Sequence, residues 1–440
     1  MTSLDASRRI RRRGCGDLCG RARRRGGAAG TCAALVVTFA LAFAGGVARW
    51  AAAAAPGSVK IGLIVPLTGR VAQNGRDLLN GLNLALAEAG NRAAGREIRV
   101  LVEEDQGLPA QSLTKARKLV ELDHVDLLMG PLSANSGYVV RDYVDQQKIP
   151  AVFPNVAGDD ITQRSRTPWI VRTGWTSSQP NHPFGEYAAK VLRYKRVVTI
   201  ANDFAFGWES VGGFQRTFEQ AGGRVVAHIW PPLSAPDYSP YLGRIPPNVD
   251  AVYAEFAGGD ALHFLQQYRE FGLAGRVPLI GGGTLTDESV LFEEGDLASG
   301  VITPLFYSPA LNTQANRDFV RAYVRAYGRV PSYYSEAAFT AMQFVVRGLA
   351  AVGGHTEPRQ AFVSAIRAVV LPDAPRGPVR IDAWGNAVEN IYIRRVDMVN
   401  GQPQNTVVYT YPNVSQFWTF SPEAYLRAPV YSRDNPPAHP

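Results

Sequence analysis

From Val59 onward, short continuous apolar runs alternate with longer segments in which apolar residues recur every three or four positions. "VKIGLIVPLTG" opens the series, a Val- and Ile-rich run that stops at Pro66. "RDLLNGLNLALAEAG" follows, with Leu78, Leu79, Leu82, Leu86 and Ala89 at helical spacing and Gly90 suited to a C-terminal cap. "EIRVLVEED" then reads as a strand, "QSLTKARKLVEL" as a helix, "VDLLMG" as a short buried strand, "SANSGYVVRDYVDQQ" as a helix and "IPAVFPN" as a strand. The pattern restarts after "WIVRTGWTSSQPNHPFG". "RVVTIAND", "RVVAHIW", "VDAVYAEF" and "VPLIGGG" are strand-like, and "GWESVGGFQRTFEQAGG" and "DALHFLQQYREFG" are helix-like. Two long helices come next, "NRDFVRAYVRAYG" and "YSEAAFTAMQFVVRGLAAVGG". In the first, Phe319, Val320, Tyr323, Val324 and Tyr327 form one apolar face. The end, "GPVRIDAWGNAVENIYIRRVDMVNGQPQNTVVYTYP", reads as short β-segments with Gly and Asn turns. Apolar strands separated by helices predict parallel sheets covered on both faces, and the restart predicts two α/β lobes with a β-rich tail.

The first 55 residues do not share this pattern. Arginines crowd Arg8 to Arg25, the apolar run "TCAALVVTFALAFAGGVA" follows, and "RWAAAAAPG" closes the segment. That order predicts a secretory signal peptide over residues 1–55, cleaved near Ala53 to Ala55. The charge balance changes once the segment is set aside. It holds ten of the chain's 46 Lys and Arg and two of its 38 Asp and Glu, so 36 of each sign are left. A neutral remainder argues against a phosphate-neutralising surface, and nucleic acid is not an expected partner. Cys15, Cys19 and Cys32 all lie in the same segment, so the remainder has no thiol nucleophile, disulfide or cysteine metal site.

Catalytic motifs are weak. The nearest approach to a nucleophile elbow is "WESVG" around Ser210, where Trp208 stands in place of the first glycine. His124, His182, His228, His263, His355 and His439 are scattered without metal-ligand spacing. There is no phosphate-binding G-x-x-x-x-G-K-[ST] loop, and no cofactor or metal is expected. The turns after the strands carry the informative residues: "PLTGRVAQNG", "GPLSANSG", "FPNVAGDD", "NDFAFGWE", "EFAGGD" and "IGGGTLTDE". Open α/β sheets bind ligands beyond the carboxyl ends of their strands. Six turns rich in Gly, Ser, Asn and Thr, with Phe204, Phe206, Trp208 and Phe256 among them, suit a polar head group and an apolar body.

Taken in order, "VKIGLIVPLTG", "GPLS", "IPAVFPN", "IVRTG", "NDFAFG", "FAGGDALHFLQQY" and "PLIGGG" resemble the periplasmic solute-binding proteins of the leucine/isoleucine/valine-binding family. The C-terminal "VSQFWTFSPEAYL" is similar to a branch associated with aromatic or other non-standard carboxylates. The resemblance implies two doubly wound lobes of the type I periplasmic binding fold joined by a three-stranded hinge. One lobe is expected at 57–175 with 309–397, the other at 176–308 with 398–440. It also implies a monomer that is no enzyme and hands a small-molecule solute to an inner-membrane ABC permease and its ATPase. A periplasmic sensor subunit shares the fold and is the other role it allows. Carried over turn by turn, the implied solute contacts are Ser133, Ala134 and Asn135, then Asn155 and Ala157, with Gln73 and Asn74 bordering the tail. The second lobe would add Phe206, Phe256, Gly258, Gly283 and Thr284. In the family's amino-acid binders, the turn after "PLIG" supplies a carboxylate to the ligand's ammonium. Here Gly283 stands at that place, and Asp287 and Glu288 follow too late, beyond the expected cleft edge. A buried ammonium without a counter-charge is costly, so the expected solute is a carboxylate without an α-ammonium, aromatic or apolar-tailed. A branched-chain amino acid or amide is the alternative.

Overall fold

The computed structural model describes residues 57–434, so the expected export signal lies outside the described residues. β1 (Val59–Val65) is buried except for the half-buried Lys60, as a strand covered on both faces requires. With β2 (Arg92–Ala93), β3 (Arg96–Glu104), β4 (Leu127–Met129), β5 (Ala151–Phe153) and β6 (Ile170–Arg172) it forms a six-stranded sheet ordered β2-β3-β1-β4-β5-β6. Every neighbour is parallel except the short β2–β3 pair. The helices α1 (Ala72–Glu88), α2 (Pro109–Arg117) and α3 (Ala134–Gln147) make the crossovers. Leu78, Leu82, Ala85 and Leu86 of α1 point into the core, as their spacing predicts.

After β6 the chain crosses to α4 (Asn181–Lys190) and a second sheet. Its parallel part is ordered β8-β7-β9-β10-β11, from β7 (Arg196–Ala201), β8 (Arg224–Ile229), β9 (Ala251–Glu255), β10 (Leu279–Gly281) and β11 (Ile302–Leu305). α5 (Ala205–Gln220), α6 (Ser239–Leu242), α7 (Gly259–Glu270) and α8 (Leu291–Glu294) connect these strands. A second crossing, through Phe306 and Tyr307, returns the chain to the first lobe. There α9 (Gln314–Tyr327) and α10 (Tyr333–Ala351) pack on α1, and α11 (Arg359–Ala368) packs on α10. On α9, Phe319 and Tyr323 are buried but Val324, expected on the same face, is exposed.

The last part corrects the expected lobe boundary. β12 (Val370–Ala374), β13 (Gly377–Ile381), β14 (Ala387–Val399) and β15 (Gln402–Val414) are antiparallel, and β14 pairs with β11. Residues 377–397, expected in the first lobe, therefore hydrogen-bond into the second sheet, which reaches nine strands. Their inward side chains, such as Val379, Ile391 and Tyr392, still join the first lobe's core. The end of the chain, expected in the second lobe, touches both. Arg164 of the first lobe donates to the carbonyls of Tyr425 and Ala428 around α12 (Pro422–Arg427), and Tyr431 covers Gly212 on α5. The fold is thus α/β, two lobes whose sheets each contain a parallel run of strands, the second extended by antiparallel strands, joined by crossings of the chain. Among the described residues, no helix is long and apolar enough to cross a membrane.

Candidate functional site

The carboxyl ends of both sheets face a shared cavity of about 320 Å³. From the first lobe come Ser133, Ala134 and Asn135 at the start of α3, and Asn155 and Ala157 after β5. A helix's first amides have no acceptor within the helix. Ser133 is the N-cap and takes the amide of Ser136 on its Oγ at 3.2 Å. The turn therefore directs the amide-rich end of α3, and its dipole, toward the cavity. Asn155 is only 3% exposed, and neither its Oδ1 nor its Nδ2 has a partner. An unsatisfied buried amide is costly in a native protein and marks a place where a ligand supplies the missing bonds.

The body of the cavity is aromatic. Trp175, on the first crossing, has its ring edge-on to Phe206 at 5.9 Å and to Tyr333 at 5.8 Å. Phe204 lies 5.9 Å from Phe206, and Tyr334 continues the wall at the start of α10. Asn202, Ser234, Ala257 and Thr284 complete the second lobe's side. Arg70 is the charged residue in the lining; it is paired with Asp260 at 3.8 Å, and its carbonyl accepts the amide of Gly259. Since Asp260 and Gly259 begin α7, these contacts bridge the lobes at the cleft.

Of the expected solute contacts, Ser133, Ala134, Asn135, Asn155, Ala157, Phe206 and Thr284 line this cavity. Five lie elsewhere. Gln73 donates to Asp77 at 2.7 Å, and Asn74 is buried and donates to Ser289 at 3.0 Å. Phe256 is a core residue, fully buried, stacked on Phe264 at 4.5 Å and edge-on to Tyr238. Gly258 takes a φ of +58° beneath the Arg70 carbonyl, an approach that a Cβ would crowd. Gly283 backs onto Pro304 and Leu305, and its carbonyl accepts from Arg394 at 2.7 Å. Arg70, Trp175, Asn202, Tyr333 and Tyr334 were not expected. Trp175 sits in the "WIVRTGW" crossing segment, where a large aromatic beside a lobe junction is the available signal; Arg70 and Asn202 lie in the post-strand turns "PLTGRVAQNG" and "NDFAFGWE", and Tyr333 and Tyr334 carry no signal that periodicity reveals.

The carboxylates are also placed differently. Asp287 and Glu288 are not at a cleft edge but buried: Asp287 accepts the Tyr333 amide at 3.2 Å, and Glu288 accepts from Asn405 at 2.8 Å. Burial, with Asp287 beside it, pushes Glu288 up to about 8. A further acid, Glu255 at the end of β9, is fully buried behind Thr284. The Thr284 Oγ1 lies 2.7 Å from Glu255 Oε1 and 2.7 Å from the Phe256 carbonyl. The glycine run makes room for it: a Cβ on Gly282 would fall 1.5 Å from Glu255 Oε2. Burial pushes Glu255 up to about 7, against hydrogen bonds from Thr284, Tyr253 and Ser210.

Comparison with known proteins agrees with this fold. Residues 58–403 match the family model described as periplasmic binding protein. A curated relative, Leu/Ile/Val-binding protein homolog 6 of Brucella melitensis, is 32% identical over 353 residues, 79% of this chain and 89% of that one. An ABC transporter substrate-binding protein from Sphaerobacter thermophilus superposes with a TM-score of 0.77 at 33% identity, covering 82% of this chain and 99% of that one. The solute binding protein of an ABC transporter from Rhodopseudomonas palustris BisB5, solved in complex with 3,4-dihydroxy benzoic acid, gives a TM-score of 0.78 at 31% identity and covers 82% and 98%.

Proposed function

The chain belongs to the periplasmic binding protein family and is a solute-binding protein of the ABC-transporter type, not an enzyme; from that premise we propose that its cleft takes a small carboxylate with an aromatic or apolar tail. The observation that carries the reading is Asn155, buried with both amide atoms unpartnered, beside the N-terminal turn of α3. An anionic head there receives N–H bonds from Ala134 and Asn135 and from the Asn155 amide, without a cationic side chain. Trp175, Phe206 and Tyr333 then hold the body between ring edges and faces. A volume of about 320 Å³ is at the small end of ligand cavities, which suits a single ring. The dihydroxybenzoate held by the Rhodopseudomonas protein supports this class. Delivery to an inner-membrane permease and its ATPase, after export, completes the proposed role.

The alternative, a branched-chain amino acid, is favoured by one observation: a buried carboxyl group, Glu255, stands 2.7 Å behind the Thr284 hydroxyl of the lining. Isothermal calorimetry with benzoate, 4-hydroxybenzoate, leucine and valine decides between them. Micromolar or tighter benzoate binding with silence toward leucine is the expected result. Tight leucine binding with no response to aromatic acids overturns the ligand class.

A further inference from the structure

Glu255 is not among the residues that line the cavity, but its Oε1 lies 2.7 Å from the Oγ1 of Thr284, which is. Its surroundings are short of protons. Thr284 has one hydroxyl proton for two oxygens at 2.7 Å, Glu255 Oε1 and the Phe256 carbonyl. Tyr253 likewise has one for Asn181 Oδ1 at 2.8 Å and Glu255 Oε2 at 3.2 Å. The Asn181 oxygen cannot help, because that amide's nitrogen donates to the Ser177 carbonyl. Even with a hydroxyl proton from Ser210, an ionised Glu255 leaves the Thr284 oxygen facing one of its two close acceptors unprotonated. A neutral Glu255 donates to Thr284, which passes its own proton to Phe256, and Tyr253 keeps its bond to Asn181.

We infer that Glu255 is a specificity-determining residue of the cleft: it carries a proton that, relayed through Thr284, keeps the second lobe's wall neutral toward an anionic solute, and loss of that proton turns the same wall toward ammonium groups. The inference rests on the proposed carboxylate class for its ligand, but not for its geometry. The groups that face the carboxyl group are hydroxyls: Ser210 from α5, Tyr253 from β9 and Thr284 from the turn after β10. None is a charged side chain, so nothing local compensates an ionised Glu255. Burial raises the phenols of Tyr333 and Tyr334, which line the cavity; the charge of Asp287 adds to this, and that of Glu255 adds a smaller push on both. Burial pushes Glu255 up to about 7.

The test is calorimetry of the wild type and Glu255→Gln with benzoate and with leucine, from about pH 6 to about pH 8.5. An amide at 255 keeps a donor and an acceptor but cannot ionise. The expected result is a benzoate affinity that falls roughly three- to tenfold across this range in the wild type and stays level in the variant. Benzoate binding with the same slope in both proteins overturns the inference and leaves the carboxylate class standing. Leucine binding that tightens with pH in the wild type alone supports Glu255 as the determinant and refutes the carboxylate class. Leucine binding with equal slopes refutes both. If neither solute binds, infrared spectroscopy of the ligand-free proteins decides. The wild-type minus variant spectrum should contain a carboxylic-acid C=O band at about pH 6 that fades through the neutral range. A difference spectrum with only carboxylate bands at that pH overturns the inference.

Discussion

Phe206 and Phe256 each follow a strand of the second lobe, and the structure gives them opposite work. Phe206 retains 8% exposure and lines the cavity, while Phe256 is fully enclosed between Phe264 and Tyr238. Phe206→Ala should weaken benzoate about tenfold or more, from lost area and ring contact. Phe256→Ala should instead cost roughly 3–5 kcal/mol of stability. Urea denaturation with calorimetry on both variants checks the pair, and equal affinity losses would contradict the division. Glu255 gives a pH signature at the same scale. Its folded value of about 7 stands above the ordinary 4.5, so the proton favours the folded state. That contribution is full below the ordinary value and is lost as pH rises through about 7. Glu255→Gln, which has no proton to lose, should therefore gain on the wild type by about 2–3 kcal/mol between acid and mildly alkaline pH. Denaturation midpoints that move in parallel with pH would show that folding does not raise the Glu255 carboxyl group above its ordinary value.

Among the elements, α3 is the one whose end serves two purposes. Ser133 caps it through the Ser136 amide and lines the cavity beside Asn135. Ser133→Ala should cost about 1 kcal/mol of stability. It should also weaken benzoate, because the capped turn aims the amides; a stability loss with unchanged affinity would separate cap from site. This helix was legible in the sequence, as were the parallel strands, because continuous apolar runs and three-four spacing follow directly from two-sided burial. Five first-lobe lining residues, Ser133 to Asn135 with Asn155 and Ala157, were legible through the resemblance, in turns directly after buried strands, while Gln73 and Asn74 were not lining residues. β14 was not, since an antiparallel strand that hydrogen-bonds to one lobe and sends Ile391 into the other's core leaves the same pattern in either. Phe256 was misplaced because a turn's composition does not say which way its ring points. Trp175 and Tyr333 escaped because the contact that joins them, ring to ring at 5.8 Å, spans distant parts of the chain. Glu255 escaped for a related reason. Only the packing of β9 against the turn after β10 shows that the glycines and the acid share one volume.

On the scale of the whole molecule, contacts cross between the lobes on both sides of the cavity. Arg70 meets Asp260, and Asn74 donates to Ser289. On the other side, Tyr138 of α3 donates to Glu209 of α5 at 2.7 Å, and the C-terminal segment lies from Arg164 to Gly212. The cavity is thus held between two bodies linked by crossings, an arrangement suited to hinge closure around a ligand. Small-angle scattering should give a smaller radius of gyration with benzoate than without it. An unchanged radius at saturation would mean that the lobes stay together when the cleft is empty.

The shared volume of Gly282 and Glu255 also limits how this protein could have changed over time. A side chain at 282 must take the space in which the Glu255 carboxyl group now sits, 1.5 Å away. A lineage moving to a cleft with a larger residue in that turn meets less crowding if position 255 is shortened first; the reverse order requires the buried Glu255 carboxyl group to shift. The two histories are distinguishable at the bench. Gly282→Ala alone should be strongly destabilising, yet nearly neutral once Glu255→Ala has been made, so the four proteins of that cycle would show an interaction energy of about 1–3 kcal/mol. Equal costs in both backgrounds would mean that the turn can move aside, and that either substitution could have come first.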